Sequence, residues 1–483
     1  MRSLKELCKE IKYREWVGPT SIEIDSIEYD SRAVQPHSCF VASVGTQCDG
    51  HKFIEGAIER GAVAVVCQTL PDKIDDAVSY ILVEDSHAAM GEMAAALYHH
   101  PSRELRLVGI TGTNGKTTTA TLLYDLFRAL GYKVGLISTV SYCIDSESFT
   151  STHTTPDAVR LHSMMRQMVD CGCEYCFMEV SSHAVVQKRI AGLHFAGALF
   201  SNITHDHLDY HHTFSEYIKA KKGLFDSLDK GAFALTNIDD RNGEVMLQNC
   251  KAQKYSYSMR SMADFKVKII EMHLGAMLLK IDGQELWVGS TGRFNAYNMV
   301  AIYSVARLLG IDSDQVLVAI SSLRAVCGRF EAIELPSQAT AIIDYAHTPD
   351  ALENVIETIE EIIAPERQLI VVCGCGGDRD HQKRGEMARI ATAHASLSIF
   401  TSDNPRSEDP QQIITEMVTG ITDTTARYLS IVDRREAIRT AVIFAKAGDV
   451  VLIAGKGHEK YQIIGTEKFH FDDHQVVKEM FKK

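Results

Sequence analysis

Residues 106–117 read Arg-Leu-Val-Gly-Ile-Thr-Gly-Thr-Asn-Gly-Lys-Thr, a short apolar stretch followed by a glycine-rich loop that contains a lysine. The apolar half predicts a buried strand, and apolar residues at helical spacing from Leu122 to Leu130 predict a helix that stops at Gly131. A glycine-rich loop between a strand and a helix N-terminus presents backbone N–H groups to phosphate oxygens. The sequence therefore predicts a phosphate-binding loop between this strand and this helix.

The lysine and threonine that end the loop are its reactive groups. We expect Lys116 to reach the β and γ phosphates of a nucleotide, and the Thr117 hydroxyl to contact Mg²⁺. The loop is a short variant, because Ile110 stands where the common spacing has a glycine five residues before Gly115. The alternative is a tight strand-to-helix turn in which the lysine is incidental.

Strand and helix patterns alternate on both sides of the loop, which predicts an α/β fold with parallel sheets covered on both faces. At about 150 residues per domain, a chain of 483 residues predicts three domains. We expect a small N-terminal α/β domain at 1–102, a central P-loop-type parallel-sheet domain at 103–334, and a C-terminal doubly wound, Rossmann-like domain at 335–483. Residues 255–290 alternate as β hairpins do and predict an insertion or sheet edge in the central domain.

The net charge excludes some classes of partner. Fifty Lys and Arg residues against 63 Asp and Glu residues leave a net charge of −13, and such an acidic surface would repel nucleic acid. No apolar run reaches the roughly 18 residues of a membrane span, and the charged N-terminus lacks the apolar core of a signal peptide. We therefore expect a cytoplasmic monomer that binds neither nucleic acid nor membrane.

The twelve cysteines are scattered from Cys8 to Cys375, which is typical of reduced thiols in the cytoplasm. The stretch Cys171-Gly-Cys-Glu-Tyr-Cys176 could supply one half of a zinc site, but no second Cys/His pair with zinc spacing accompanies it. Its first two residues also stand where a helix should end. Cys373-Gly-Cys375 follows an apolar strand pattern. We expect neither cluster to bind a metal.

Two other positions are candidates for a metal site. Glu179 lies in the apolar strand pattern 175–180, at the carboxyl end, where parallel sheets bind their ligands. Its carboxylate is suited to a Mg²⁺ ion that bridges phosphates. After the next strand pattern, histidines and acids crowd between Asn202 and His212, and we select His207 as a second metal contact. Each of these histidines, taken alone, is more typical of a solvated loop.

Ten short motifs follow one another along the chain. They are Asp30-Ser-Arg32, Gly45-Thr-Gln-Cys-Asp-Gly50, Thr111-Gly-Thr-Asn-Gly-Lys-Thr-Thr118, Met178-Glu-Val-Ser-Ser-His183, His207-Leu-Asp209, Phe294-Asn-Ala-Tyr-Asn298, Gly328-Arg-Phe-Glu331, Asp344-Tyr-Ala-His347, Asp403-Asn-Pro-Arg406 and Gly455-Lys-Gly-His-Glu459. In this order they resemble the motifs of the Mur ligases, which add amino acids stepwise to UDP-N-acetylmuramic acid. The resemblance covers nearly the whole chain, and it is greatest for the members that add the third residue, diaminopimelate.

The resemblance implies an ATP-dependent acid–amino-acid ligase of cytoplasmic peptidoglycan synthesis, and hence of cell-wall biogenesis, cell shape and cell division. Its substrates would be ATP, UDP-N-acetylmuramoyl-L-Ala-D-Glu and meso-diaminopimelate. The γ-phosphoryl group of ATP would turn the D-glutamate carboxylate into an acyl phosphate, which the incoming amine then displaces. Phosphoryl transfer needs in-line positioning and charge neutralisation, which the Lys116 loop and Mg²⁺ would supply. Lys221 matches the lysine that the family carbamylates with CO₂, and this carbamate would ligate the metal.

The resemblance also assigns residues position by position, and it places UDP-muramoyl binding in 1–102, ATP binding in 103–334 and amino-acid binding in 335–483. The catalytic set is Lys116, Glu179, His207 and Lys221; the metal set is Thr117, Glu179, His207 and carbamylated Lys221. The ATP set is Gly112, Thr113, Asn114, Gly115, Lys116, Thr117, Thr118, Asn298, Arg329, Asp344 and His347. The UDP-muramoyl-dipeptide set is Ser31, Thr46, Gln47, Cys48, Thr154, Thr155, Ser181, Gln187 and Arg189. The diaminopimelate set is Arg379, Asp403, Asn404, Pro405, Arg406, Gly455 and Glu459. The chain departs from residues frequent in the family at Thr46, Cys48 and His153.

Two other classes of protein compete with this interpretation. Folylpolyglutamate synthase performs the same chemistry on a related fold, but it lacks a counterpart of the N-terminal domain and has no need of Asp403-Asn-Pro-Arg406. A P-loop ATPase or GTPase that acts as a mechanical or signalling module has no reason to carry a third, doubly wound domain. Phosphate release that requires both the muramoyl dipeptide and diaminopimelate would distinguish the ligase from both.

Overall fold

The computed structural model describes residues 2–45, 48–151, 153–204 and 208–481. The chain divides into two units. The first comprises residues 1–112, 123–201 and 213–256, and the second comprises residues 113–122, 202–212 and 257–483. The division therefore passes between Gly112 and Thr113, within the glycine-rich loop.

The first unit contains a five-stranded sheet near the N-terminus. Alternation along its strands sends Phe40 and Val65 to one apolar cluster and Val41 and Val66 to another, so both faces of the sheet are covered. All neighbouring strands are parallel except the first pair. In sheet order the strands are Tyr13–Val17, Ser79–Val83, Ala62–Cys67, Ser38–Val41 and Ser26–Glu28. Around them lie the helices Leu4–Leu7, Ile54–Glu59 and Ser86–Leu97, the single 3₁₀ turns Gly50–Phe53 and Pro101–Arg103, and the short strand pair Arg2–Ser3 and Glu23–Ile24.

A larger sheet in the first unit is built around the strand Arg106–Thr111, which is buried from Leu107 onwards, as a central parallel strand must be. Its neighbours on both sides run parallel to it. In sheet order the strands are Glu147–Thr150, Ser141–Ile144, Val134–Ile137, Tyr175–Glu179, Arg106–Thr111, Gly197–Phe200, Phe233–Asn237 and Gln253–Ser258. The helices are Lys116–Ala129, which begins in the second unit, Ala158–Asp170, Ser182–Val186, Phe214–Asp226 and Gly243–Leu247. Because the carboxyl ends of parallel strands meet at one edge, Glu179 and Gly112 lie at the same edge of this sheet.

The second unit contains a six-stranded sheet that is parallel except at one edge. In sheet order its strands are Glu331–Glu334, Thr340–Asp344, Val450–Ala454, Leu369–Cys373, Leu397–Phe400 and Tyr428–Ser430. The helices are Leu208–His211, Arg293–Leu308, Ser313–Ser322, Pro349–Glu360, Gln382–His394, Pro410–Val418, Arg434–Phe444 and Asp473–Glu479. The antiparallel strands are Phe265–His273, Ala276–Ile281 and Gln284–Val288, with the separate pair Tyr461–Ile464 and Glu467–His470. The same-edge rule places the segments that follow Asp344, Cys373, Phe400 and Ala454 side by side.

The predicted α/β class with parallel sheets is confirmed, and so are the hairpins predicted between 255 and 290. The helix after Pro156 begins at Ala158, because Asp157 caps it by accepting a hydrogen bond from the Arg160 amide. In the described part of the chain, no helix has both the length and the apolar character needed to cross a membrane. The three domain boundaries stay a prediction.

Candidate active site

The glycine-rich loop ends where the helix Lys116–Ala129 begins. Gly115 has a φ of 85°, a left-handed conformation that glycine adopts without steric cost. The Lys116 ammonium donates to the Thr113 carbonyl at 2.8 Å, so the side chain folds back over its own loop. Thr117 and Thr118 are buried in the first helical turn. The loop thus has the strand–turn–helix context that phosphate binding requires.

Residues 202–204 hold the loop in shape. The Thr113 amide donates to the Asn202 carbonyl at 2.8 Å. The Asn202 side chain accepts from the Asn114 amide at 2.9 Å and donates to the Asn114 carbonyl at 3.1 Å. The Thr204 amide donates to the Thr113 hydroxyl at 3.0 Å. Asn202 and Thr204 are therefore structural partners of the predicted ATP-binding residues.

Asp350 is a second partner of the loop. One of its carboxylate oxygens accepts from the Asn114 side-chain amide at 3.0 Å and from the Thr204 hydroxyl at 3.3 Å. Burial raises the pKa of Asp350, and the hydrogen bonds from Thr204 and Asn114 oppose that rise. Like the loop residues 113–122, Asp350 belongs to the second unit.

Asn298, another predicted ATP-binding residue, is buried against the helix that follows the loop. Its side-chain oxygen accepts from the Thr119 hydroxyl at 3.1 Å, and its side-chain nitrogen donates to Asn295 at 3.1 Å. Both ends of this amide are thus engaged within the protein. Asn298 holds the first turns of the helix in place.

Arg329, Asp344 and His347 come together around Tyr345. The buried Asp344 carboxylate accepts from the backbone amides of Phe330 and Ala346, both at 2.7 Å. Burial raises the pKa of Asp344, while the nearby Arg329 and the two amides act in the opposite direction. The Arg329 guanidinium lies over the Tyr345 ring, 4.5 Å from its centroid. The His347 Nδ1–H donates to the Tyr345 carbonyl at 2.9 Å.

In the first unit, Glu179 organises part of the predicted muramoyl-peptide set. Its completely buried carboxylate accepts from the Thr139 amide at 2.7 Å and from the Thr139 hydroxyl at 3.3 Å. The Thr154 hydroxyl lies 3.0 Å from the same Thr139 oxygen, which can accept a hydrogen bond from it. The Thr155 hydroxyl donates to the Glu179 carbonyl at 2.8 Å and accepts from the Ser181 amide at 3.2 Å. Thr154, Thr155 and Ser181 therefore surround Glu179.

Gln187 and Arg189 join this group through a bidentate contact. Two nitrogens of the Arg189 guanidinium donate to the Gln187 side-chain oxygen, at 2.9 and 2.6 Å. A third donates to the Thr155 carbonyl at 2.7 Å. Arg189 also lowers the pKa of Tyr29, although burial and Asp157 outweigh it and the net shift is upward. Arg189 is thus electrostatically linked to Tyr29, which directly precedes the motif Asp30-Ser-Arg32.

A cleft of about 420 Å³ lies in the first unit beside Tyr29 and Asp157. It also borders the exposed ring of Phe149 and the Arg160 guanidinium, which lies 5.4 Å from the centroid of the Tyr142 ring. This cleft combines aromatic walls with hydrogen-bonding groups, as sites for small ligands do.

The remaining residues of the UDP-muramoyl-dipeptide set are Ser31, Thr46, Gln47 and Cys48. Ser31 lies between Asp30 and Arg32, whose exposed side chains form a bidentate ion pair. This pair lowers the pKa of Asp30 to about 2. Cys48 is exposed. Thr46 and Gln47 lie outside the described residues.

Lys221 is almost completely buried, with 1% of its surface exposed. Its Nζ donates to the Gly112 carbonyl at 2.6 Å and lies 4.6 Å from the centroid of the Tyr217 ring. The adjacent Lys222 instead forms an ion pair with Asp226, one helical turn further on. The two lysines therefore differ sharply in environment, and the buried one contacts the start of the phosphate-binding loop.

The four predicted metal ligands are distributed across the chain. Glu179 and Lys221 belong to the first unit, and Thr117 belongs to the second. His207 lies outside the described residues. Within the described ranges, no group of three or more His, Cys, Asp or Glu side chains has the geometry of a metal site. The oxygen donors of Glu179 and Thr117 are nevertheless of the kind that a hard cation such as Mg²⁺ binds.

Three residues of the predicted diaminopimelate set converge on a lysine that the set did not include. The Lys456 ammonium is completely buried and lies 3.2 Å from the Glu459 carboxylate and 3.5 Å from the Asp403 carboxylate. It donates to the Asn404 side-chain oxygen at 3.1 Å, and the Asn404 nitrogen donates to Glu459 at 2.8 Å. At Gly455, with a φ of 113°, a Cβ would lie 2.8 Å from Asp403, so only glycine fits.

Arg406 and Arg379 lie on the other side of this group, around Gly376. Arg406 follows Pro405 with a φ of 52°, and its guanidinium donates to the Gly377 carbonyl at 2.6 Å. A Cβ on Gly376 would lie 2.9 Å from Arg406 and 3.8 Å from Arg379. The nearby Glu408 pairs with the buried Arg384, whose guanidinium donates to both of its carboxylate oxygens at 2.8 Å.

The residues that sequence reasoning missed are Asn202, Asp350, Arg384 and Lys456. Lys456 stood inside the motif Gly455-Lys-Gly-His-Glu459, and a lysine flanked by glycines at a strand end was a usable signal. Asn202 likewise followed a strand pattern. Nothing local to Asp350 or Arg384 distinguishes them from surface charges, since their partners lie far away in sequence.

Comparison with known proteins supports one family along the whole chain. The models described as Mur ligase family, catalytic domain, Mur ligase middle domain, and Mur ligase, glutamate ligase domain match residues 23–98, 110–306 and 328–457. The UDP-N-acetylmuramoyl-L-alanyl-D-glutamate–2,6-diaminopimelate ligase of Phocaeicola vulgatus is 52% identical over 479 residues, which are 99% of each chain.

Solved structures agree with this relationship. A structure of a UDP-N-acetylmuramoyl-L-alanyl-D-glutamate–2,6-diaminopimelate ligase superposes with a TM-score of 0.70 at 31% identity, covering 99% of this chain and 98% of its own. The MurF ligase from Thermotoga maritima in complex with ADP has a TM-score of 0.61 at 19% identity and covers 95% of this chain and 97% of its own, which shows a shared fold. With its three-part α/β architecture and its ordered motifs, the chain belongs to the Mur ligase family.

Proposed function

We propose that this protein is an ATP-dependent ligase that adds meso-2,6-diaminopimelate to the D-glutamate of UDP-N-acetylmuramoyl-L-Ala-D-Glu, in peptidoglycan precursor synthesis. The observation that carries the proposal is the 52% identity, over 99% of both chains, to a ligase named for this reaction. The assembled groups around the phosphate loop, around Glu179 and around Lys456 support it.

We assign the three substrates to three parts of the chain: the uridine end to 1–102, ATP to 103–334 and the amino acid to 335–483. Each of these ranges contains one main sheet, except that Glu331–Glu334, the edge strand of the third sheet, falls just before residue 335. The residues grouped at the carboxyl edges of the two larger sheets lie where parallel sheets bind ligands. The cleft beside Tyr29 is the candidate place for the uridine end.

The chemistry begins with a carboxylate, which is a poor acylating agent because its oxygen is a poor leaving group. Transfer of the γ-phosphoryl group of ATP to the D-glutamate carboxylate forms an acyl phosphate. The amine of diaminopimelate then attacks the acyl carbon, and phosphate leaves from a tetrahedral intermediate. Lys116, at the start of a helix, neutralises charge on the phosphates as the bond to ADP breaks.

The nucleotide is held by the loop and by the group around Tyr345. The loop supplies Gly112, Thr113, Asn114, Gly115, Thr117 and Thr118, and the second group supplies Arg329, Asp344 and His347. The loop follows the carboxyl end of the strand Arg106–Thr111, and Asp344 and His347 lie at or just after the carboxyl end of Thr340–Asp344, which supports this assignment. We assign to Asn298 an indirect part, because its amide is engaged with Thr119 and Asn295.

We assign Mg²⁺ to Thr117, Glu179, His207 and a carbamate on Lys221. The buried Glu179 carboxylate fits such an ion, because its partner Thr139 leaves lone pairs on both oxygens. When bound, the ion would neutralise the phosphate oxygens during transfer. Lys221 lies at the loop, buried and close to Gly112, and a carbamate would give it anionic oxygens in place of an ammonium.

Diaminopimelate is assigned to the group that contains Asp403, Asn404, Glu459 and Arg406, with Arg379, Pro405 and Gly455. A guanidinium can bind the distal carboxylate of diaminopimelate through two hydrogen bonds, and lysine has no such carboxylate. The Glu459 and Asp403 carboxylates are suited to ammonium groups. Because Lys456 already contacts both, the group as a whole is less anionic than its carboxylates suggest.

We further propose that the protein works in the cytoplasm as a monomer. All twelve cysteines are unbonded to one another, and most are buried, as is typical of a reducing compartment.

The proposal is tested by phosphate release from ATP in the presence of Mg²⁺. The assay contains UDP-N-acetylmuramoyl-L-Ala-D-Glu and meso-diaminopimelate, together and one at a time, with mass spectrometry of the product. Sustained release that requires both substrates, and a product heavier by one diaminopimelate residue, is expected. Release with neither substrate would instead indicate an ATPase module, and ligation of glutamate to a folate would indicate folylpolyglutamate synthase chemistry.

A further inference from the structure

We propose that Asp350 is a positioning residue that holds the phosphate-binding loop in its nucleotide-binding shape through Asn114 and Thr204. This inference rests on the proposed function only in taking the loop as the nucleotide site. Asp350 itself belongs to none of the predicted substrate-binding sets.

The geometry gives Asp350 two donors on one oxygen. The Asn114 amide lies 3.0 Å away and the Thr204 hydroxyl 3.3 Å away. Thr204 in turn donates its backbone amide to the Thr113 hydroxyl at 3.0 Å. The Asp350 carboxylate therefore binds both the loop, through Asn114, and the segment that supports the loop, through Thr204. Because Thr204 also binds Thr113 of the loop, these contacts form a closed ring of hydrogen bonds.

Asn202 and Asp350 fix different parts of the loop. Asn202 binds only backbone groups of the loop, so it sets the path of the chain. Asp350 binds the Asn114 side chain, so it sets where that side chain points.

Asp350 lies at the start of a helix. It is the second residue of Pro349–Glu360, a helix capped by Thr348, where the backbone amides and the helix dipole stabilise a carboxylate. The Asn354 side chain also donates to the Asp350 carbonyl at 2.6 Å. A rigid helix end thus presents the carboxylate. The same segment carries His347, three residues earlier, which we assign to the nucleotide.

A simpler role is also consistent with the helix position: an acid in the first turn stabilises its own helix. The two roles differ in their partners. Helix stabilisation depends on charge alone and is independent of Thr204, whereas positioning depends on an acceptor oxygen and is coupled to Thr204. Asparagine keeps an acceptor oxygen at this position but removes the charge.

The experiment measures the Kd of ADP and of a non-hydrolysable ATP analogue by calorimetry on the full-length chain. It compares Asp350→Ala, Asp350→Asn, Thr204→Val and the double variant Asp350→Ala/Thr204→Val. Glu353→Gln, an exposed acid on the same helix, is the matched control. Because no turnover is needed, the result stands apart from the ligase assay, so failure of one does not imply failure of the other.

We expect Asp350→Ala to weaken nucleotide binding about tenfold, which is the loss of a hydrogen bond to a charged group. Asp350→Asn should recover most of that loss, and the double variant should bind no more weakly than Asp350→Ala alone, since both remove one ring of hydrogen bonds. Glu353→Gln should bind as wild type does. The proposal would be overturned if Asp350→Asn weakened nucleotide binding as much as Asp350→Ala. It would also be overturned if the loss of affinity in the double variant equalled the product of the losses in the two single variants. If Asp350→Ala fails to fold, the nucleotide affinities of Thr204→Val and Asp350→Asn test the proposal in its place.

Discussion

The Lys456 ammonium lies 3.2 Å from the Glu459 carboxylate, and the lysine is completely buried. Glu459 belongs to the set predicted to bind diaminopimelate, yet in the structure it already has a cationic partner. Because the same ammonium also contacts Asp403 and Asn404, Lys456 fixes the arrangement of three residues proposed to bind the amino acid. The amino acid would therefore meet a pre-organised group, with its charges partly balanced.

Replacing Lys456 by methionine should damage this group. The variant leaves two carboxylates buried without their cation, and loss of one partner from a buried ion pair costs about 3–5 kcal/mol. We expect a lower melting temperature and a raised KM for diaminopimelate, with the KM for ATP changed much less. Lys460→Met, four residues on and exposed, is the control. An unchanged KM for diaminopimelate in a folded Lys456→Met variant would contradict this role.

Arg406 should decide between diaminopimelate and lysine. The wild type is expected to prefer meso-diaminopimelate strongly, and both Arg406→Ala and Arg406→Lys should remove most of the preference, because neither offers a planar, bidentate donor. The φ of 52° at this position is equally strained in all three, so backbone strain does not confuse the comparison. The measurement is kcat/KM for the two amino acids, with the exposed Arg427→Ala as control. Equal use of lysine by the wild type would overturn the substrate assignment and leave the ligase chemistry intact.

Lys116 should matter for the rate and little for the fold. Its ammonium donates to the loop carbonyl of Thr113, and the side chain is only half-buried, so Lys116→Ala removes little packing. We expect kcat to fall by about 10²–10³-fold, as when one charge-stabilising donor is lost from an active site. The melting temperature should stay close to that of the wild type. Near-normal amide formation by the folded variant would show that the loop does not bind the transferred phosphoryl group.

Lys221 should be carbamylated in the active protein. A buried ammonium cannot ligate Mg²⁺, whereas a carbamate offers two anionic oxygens to a hard cation. Lys221→Ala is therefore expected to be nearly inactive and to recover part of its activity with added short carboxylates. Lys222→Ala, which loses only the ion pair with Asp226, should stay active. A crystal structure of the active, metal-bound protein with an unmodified amine at Lys221 would refute the prediction.

His162 should make the folded state sensitive to acid. Burial lowers the pKa of His162 to about 4, whereas an unfolded histidine titrates near 6.5. The folded state thus favours the neutral ring; the stability this provides is complete above about pH 6.5 and is lost as the pH falls toward 4. Between pH 7 and pH 5 the loss is about 2 kcal/mol.

Urea unfolding at both pH values measures this effect. His162→Gln cannot take up the proton, so its free energy of unfolding should fall less between pH 7 and pH 5 than that of the wild type. The exposed His470→Gln should follow the wild type. Identical pH dependence in His162→Gln and wild type would mean that another group causes the acid sensitivity.

The sequence by itself determined the elements and the motifs. Apolar runs and turn residues are local signals, so the strand Arg106–Thr111 has the bounds that its sequence predicts. The same-edge rule for parallel strands then predicts that residues following Asp344, Phe400 and Ala454 lie together, as they do. Local chemistry and one rule of sheet geometry were enough for this.

Only the tertiary structure decided which side chains hold the site in place. Asn114 and Asp350 are 236 residues apart, and Lys456 and Asn404 are 52 apart. No periodicity or turn pattern encodes such a pair, because each residue taken alone resembles a solvated charge or amide. Their partners are set by how separate strands and helices pack, and burial then turns an ordinary charge into a specific contact, since an unpaired charge inside the protein is costly. The partners of Asp350 and Lys456 therefore became visible only once the chain was folded.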